Sequence, residues 1–159
     1  MDISTTLAAL ADIELAVSIT ESGTVIPVRK VYESFPPASQ KLDPRDMPLW
    51  INTWSFDSDQ RGPFGVGREV YRITATMFVG EATGELARLV RQGRKLHSAF
   101  LAALRLNLTL GGTATAGHDV RGGEPTEGLT DRGGIEYVTY AHILEVPFWE
   151  SADFALGVP

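Results

Sequence analysis

Residues 69–107, EVYRITATMFVGEATGELARLVRQGRKLHSAFLAALRLN, constrain the fold more than any other stretch of the chain. The first part alternates. Tyr71, Ile73, Ala75, Met77 and Val79 fall on one side and Arg72, Thr74 and Thr76 on the other, the period of a half-buried strand. Phe78 is the only large apolar residue on the second side. Then the period changes. Leu86, Leu89, Val90, Leu96, Phe100, Leu101, Leu104 and Leu108 recur three and four residues apart, which predicts a helix with one apolar stripe and with Arg88, Arg91 and Lys95 opposite it. A strand and a helix that each own a single apolar face must bury those faces, so this pair is expected to supply most of the core.

The other segments complete that unit. At 159 residues and 43% hydrophobic, the chain suits one domain over residues 1–150, followed by a short tail at 151–159 that frays unless a neighbour holds it. Ile3, Leu7, Leu10, Ala11 and Val17 lie at helical spacing, predicting a helix from Asp2 to about Ile19 that Glu21, Ser22 and Gly23 end. VIPVRKVY (25–32) reads as the first strand, with Pro27 at an edge or at its start. The proline-rich FPPASQKLDPRDMP (35–48) reads as an extended loop. In PLWINTWSFD (48–57), Leu49, Ile51 and Thr53 alternate with Trp50, Asn52, Trp54 and Phe56, giving a strand with apolar bulk on both faces. Trp50 and Trp54 fit either core packing or a subunit contact, where Trp is enriched. DSDQRGPFGVG (57–67) is expected to be a loop too long for a tight hairpin, with Arg61 and Phe64 at its tip. Gly111 and Gly112 stop the long helix, and TATAGHDV (113–120) reads as a weak strand. RGGEPTEGLTDRGG (121–134) reads as disordered or ordered by a partner, and IEYVTYAHILEVPFWE (135–150) as a long, largely buried strand. The prediction is therefore an α+β domain: a two-layer, mainly antiparallel sheet of four to five strands, packed on one face by two helices. Its second face, left with large aromatic residues, argues for oligomerisation.

Chemistry is hard to find in this chain. Zero cysteines remove disulfides, thiolate zinc sites and cysteine nucleophiles together. There is no phosphate-binding GxxxxGK loop and no G-x-S-x-G elbow, and in GVGREV (65–70) Val70 stands where a dinucleotide fingerprint needs its third glycine. His97 lies beside the apolar stripe and His142 inside the last strand, so each reads as a packed core histidine. His118 with Asp119 reads as a solvated loop pair. No catalytic residue, cofactor or metal is expected. A net charge of -6 speaks against a broad grip on nucleic acid, which depends on Lys and Arg neutralising phosphates. No apolar run approaches about twenty residues and the N-terminus lacks the pattern of a signal peptide, so a soluble protein, intracellular when made, is expected.

A short N-terminal helix, VRKVYESFPP leading into the proline-rich loop, PLWINTW, YRITATMFVG, the helix of residues 85–108 and the closing IEYVTYAHILEVPF together resemble the tail terminator (tail completion) proteins of long-tailed bacteriophages. The likeness covers most of the chain and rests on layout and strand texture. It implies a virion protein of the neck end of the tail, made in the host cytoplasm. Such subunits form a hexameric ring that caps the last ring of tail-tube protein, stops polymerisation and offers a surface to the head connector, with DNA passing through the bore. On that reading Trp50, Trp54, Arg61 and Phe64 are candidates for contacts with a neighbouring subunit or partner, and Asp57, Asp59, Glu124, Glu127 and Asp131 for charges facing the bore. Rival readings are a neck adaptor, a tail-tube subunit, or a small-ligand enzyme with a pocket near His97 and His142, which predicts a buried polar cluster there.

Overall fold

The computed structural model describes residues 3–32, 34–61, 67–113 and 119–149. Along the chain come α1 (Ile3–Leu15), β1 (Ser18–Glu21), β2 (Thr24–Pro27), β3 (Lys30–Tyr32), a 3₁₀ turn (Pro44–Asp46), β4 (Leu49–Arg61), β5 (Gly67–Glu81), α2 (Leu86–Leu106), β6 (Asp119–Arg132) and β7 (Ile135–Trp149). β1 and β2 form a separate hairpin, and the remaining strands make one sheet in the order β3-β4-β5-β7-β6. Every pairing in that sheet is antiparallel except β3 with β4. The class is α+β with a mostly antiparallel sheet, as the sequence pattern predicts.

Register sorts the side chains into two faces. Trp50, Met77 and Tyr140 form one cross-strand row, Asn52, Ala75 and His142 the next, and Trp54, Ile73 and Leu144 the third. This face carries the main core, where Leu7 and Leu10 of α1 and Leu89, Leu96, Phe100 and Leu104 of α2 pack on Trp50, Ile73, Met77 and Val146. The buried residues of α2 (Leu89, Gln92, Gly93, Leu96, His97, Phe100 and Leu104) follow the spacing that predicts its stripe. On the other face, Leu49, Ile51, Phe78 and Tyr137 gather Leu42 and Met47 from the 35–48 segment into a second, smaller core. Phe78, the lone large residue on its side of β5, is what that segment folds over.

Arg132 fastens the segment. Its Nη2 donates to the carbonyls of Pro36 and Pro37 at 2.5 and 2.7 Å, and its guanidinium lies 5.2 Å from the ring centre of Phe35 and 5.8 Å from that of Phe78. The Leu42 N–H donates to Tyr137 Oη at 3.2 Å, adding a second tie.

Four expectations need correction. Residues 57–61 are strand, not loop: after a bulge at Asp57, β4 pairs with β5 from Ser58–Val70 to Arg61–Gly67. Residues 121–132 are likewise strand, paired with β7 as β6. A ladder needs only backbone groups, so polar sequence at a sheet's end or edge pairs without showing apolar alternation. The helix expected to reach Ile19 stops at Leu15 because residues 18–21 pair with 24–27. Finally, the single strand expected over 25–32 is two, β2 and β3, lying in different sheets. Ser22 and Gly23, with φ of 50° and 79°, make the two-residue turn of the first hairpin, and Gly133 and Gly134, at 60° and 80°, make that of the β6–β7 hairpin.

Helix and sheet approach each other closely at Gly93. A Cβ there would stand nearer than 3.0 Å to three ring carbons of Tyr140, whose hydroxyl is already fixed by donating to Val90 O at 2.8 Å. Gly93→Ala is therefore expected to lower stability by about 1–3 kcal/mol, as overpacking does. Urea unfolding of the two proteins measures it, and an unchanged midpoint would mean that α2 is free to lift.

Candidate functional site

The α2–β7 seam places two histidines face to face. His97 sits one helical turn after Gly93, and His142 sits two residues after Tyr140 on the same face of β7, so the glycine contact also sets the spacing of the imidazoles. The rings stack with centroids 3.9 Å apart and 4° between planes. Both are buried, at 5% and 2% exposure. Tyr140 lies 6.2 Å from His97 and Phe100 lies 5.8 Å from His142, ring centre to ring centre. Nε2 of His97 and both ring nitrogens of His142 have no hydrogen-bond partner. Burial pushes the His97 pKa down, and burial together with the neighbouring His97 pushes that of His142 to about 4. Both are therefore neutral at pH 7.

This pair does not make a chelate. Imidazole lone pairs lie in the ring plane, and two nearly parallel planes cannot both point at one ion. Among the described residues no group of three or more His, Asp or Glu side chains is placed to hold a metal. The two histidines, read separately from the sequence as core residues, are brought into direct contact. No signal in either local sequence announces that, because contact depends on how α2 registers over β7.

A second polar pair lies along the same cross-strand row. Glu14 of α1 is fully buried, and Asn52 Nδ2 donates to its Oε2 at 2.7 Å. Glu14 Oε1 and Asn52 Oδ1 lack partners. Burial raises the Glu14 pKa well above the carboxylate range, with the Asn52 hydrogen bond opposing only in part. As a neutral acid, Glu14 gains the O–H donor that two adjacent acceptor oxygens otherwise lack. Asn52 and His142 both oppose Ala75, so the two polar pairs are separated by a single small residue.

The predicted contact and bore residues are placed as follows. Trp50 is a core residue, fully buried, with its ring centre 4.5 Å from that of Phe100, and is closed to any neighbour. Trp54 and Phe56, at 49% and 50% exposure, flank Tyr71 with ring centres 5.7 and 5.5 Å away. Asp57, Asp59 and Arg61 lie in β4 and Glu124 in β6, while their side chains, Phe64 and His118 fall outside the described residues. Glu127 is not a free loop charge but accepts from Arg94 Nε at 3.0 Å. Asp131 accepts from the Gly134 N–H at 3.3 Å within the turn. The basic strip on α2 is also answered: Arg91 meets Glu21 at 2.9 Å, Lys95 meets it at 4.0 Å, and Arg88 pairs with Glu85.

Opposite the helices, the 35–48 segment covers part of the sheet and leaves the rest open. A groove of ≈ 340 Å³ runs over Ile51, Thr53, Thr76, Thr126, Thr139 and Ala141, bounded by Phe35. Neither histidine lines it. No helix among the described residues is long and apolar enough to cross a membrane.

The raised Glu14 pKa fixes the sign of a pH effect. The unfolded carboxyl ionises near its ordinary 4.5 while the folded one resists, so the stability Glu14 contributes is complete below about 4.5 and is lost as pH rises through the folded value. Glu14→Gln, which cannot ionise, should match the parent near pH 4 and exceed it increasingly above that. Chemical denaturation at pH 4 and pH 8 checks this, and a constant difference would mean that Glu14 is charged in the fold. Compared with known proteins, the chain matches no family model and no curated relative.

Proposed function

We propose that the chain is a structural ring subunit of the tail-terminator kind, one that caps the last ring of tail-tube protein, ends its polymerisation and presents a surface for joining the head. The observation that carries this reading is the incomplete cover of the sheet. On the helix side, Trp54 and Phe56 of β4 remain half-exposed, and on the other side the 35–48 segment covers Phe78 and Tyr137 but leaves a threonine-lined groove beside them. Apolar rings held at half exposure on paired strands suit burial by a second subunit. The same strand carries Asp57 and Asp59, and β6 carries Glu124 and Asp131, acidic positions suited to a bore through which DNA slides without sticking. In a ring, the strands that carry those positions line the bore and the aromatic cluster meets the next copy.

A neck adaptor or tube subunit would use the same surfaces, so the partner that assembles with the chain distinguishes the readings. Sedimentation and negative-stain microscopy of the purified protein, alone and mixed with tail-tube protein, should give closed rings that stop tube growth. A strict monomer in both conditions counts against the proposal, and rings that extend tubes would make the chain a tube component. The double variant Trp54→Ser, Phe56→Ser should abolish ring formation while costing the monomer about 1 kcal/mol, the scale of the aromatic contacts removed. A much larger loss of monomer stability would make these rings core residues instead.

A further inference from the structure

We infer that the α2–β7 seam is an acid-sensitive latch, closed while the stacked His97 and His142 are neutral and released from the sheet when either takes up a proton. The geometry carries the argument. An imidazolium needs acceptors for two N–H groups, yet three of the four ring nitrogens in this pair have none. Two such rings 3.9 Å apart in the interior would also repel strongly if both were charged.

Among the described residues, nothing around the pair offsets the charge. From α2, the neighbouring ionisable groups are Arg94, engaged by Glu127 of β6, and Lys95, directed to Glu21 of β1. From β7 comes Tyr140, whose hydroxyl is spent on Val90 O, while Glu145 lies on the opposite face with Arg72 of β5. β5 presents Ala75 and Met77, and β4 presents Trp50 and Asn52. The one interior carboxyl, Glu14 of α1, is bonded to Asn52 on the far side of Ala75 and is held neutral by burial. A proton on His142 is therefore stabilised only by water, and both His142 nitrogens are closed to water while α2 lies on β7. The sheet itself has no such demand, since its ladders are backbone hydrogen bonds.

The sign follows from linkage. A histidine pKa held below its unfolded value contributes stability that is complete above about 6.5 and is lost as pH falls toward the folded value, about 4 for His142. At pH 5, His142 alone shifts the closed-to-open ratio by about 30-fold. Hydrogen exchange on the full chain at pH 7 and pH 5, corrected for intrinsic rates, should show α2 amides losing at least tenfold protection while β5 amides keep theirs. In the non-titrating variant His97→Gln, His142→Gln, that difference should vanish. An equal loss of protection in α2 and β5, no loss in either, or the same response in the variant overturns the inference. Where the variant does not fold, proton NMR titration of the parent histidines decides. Midpoints well below the ordinary 6.5, with α2 resonances shifting together with them, support the latch. Midpoints near 6.5 with α2 undisturbed overturn it.

Discussion

The spacing between α2 and the sheet depends on one absent side chain. At Gly93 the helix rests on the ring of Tyr140, and the Tyr140 hydroxyl reaches back to Val90 O, so helix and strand are held by contact and hydrogen bond within one turn. That spacing propagates. It seats Leu96, Phe100 and Leu104 in the main core and brings His97 onto His142. A larger residue at position 93 would lift the stripe off the sheet and leave the Trp50–Phe100 contact without its backing.

The core that results is selective about protons in two directions. Glu14 must carry one to be accommodated beside Asn52, and the histidines must not. Buried ionisable groups are compatible with a fold only in the state that leaves no uncompensated charge. The interior therefore favours a middle range of pH, with different helices answering at each end: α1 through Glu14 on the alkaline side and α2 through His97 on the acid side.

Much of this architecture was legible in the sequence where a pattern has a period. The alternation of residues 71–79, the stripe of α2 and the alternation of β7 each follow directly from apolar spacing, and they are the elements of the main core. What escaped lies where pairing needs no side-chain pattern. β1, the distal part of β4 and β6 beyond Val120 are mostly polar, and their partners are specified by turns and edges instead. The Ser22-Gly23 and Gly133-Gly134 dipeptides were the available signals, since two consecutive residues at positive φ are what a tight hairpin requires. The histidine contact and the Glu14–Asn52 bond join elements distant in sequence, and no local reading brings such partners together. Trp50 and Trp54, four residues apart on one face of β4, have opposite fates because Phe100 of α2 covers the first.

The parallel pairing of β3 with β4 obliges the chain to cross from one end of the sheet to the other between them, and residues 35–48 make that crossing while covering Phe78 and Tyr137. The ties that hold the crossing come from Arg132 and Tyr137, 95 or 96 positions further along the chain. The end of the segment nearest β4 is also held by Lys30 on Asp46 and by Arg29 on the Arg45 carbonyl, but the ties to Pro36, Pro37 and Leu42 wait for the final hairpin. During synthesis the second core cannot be completed until nearly the whole domain has emerged, because Tyr137 is one of its members.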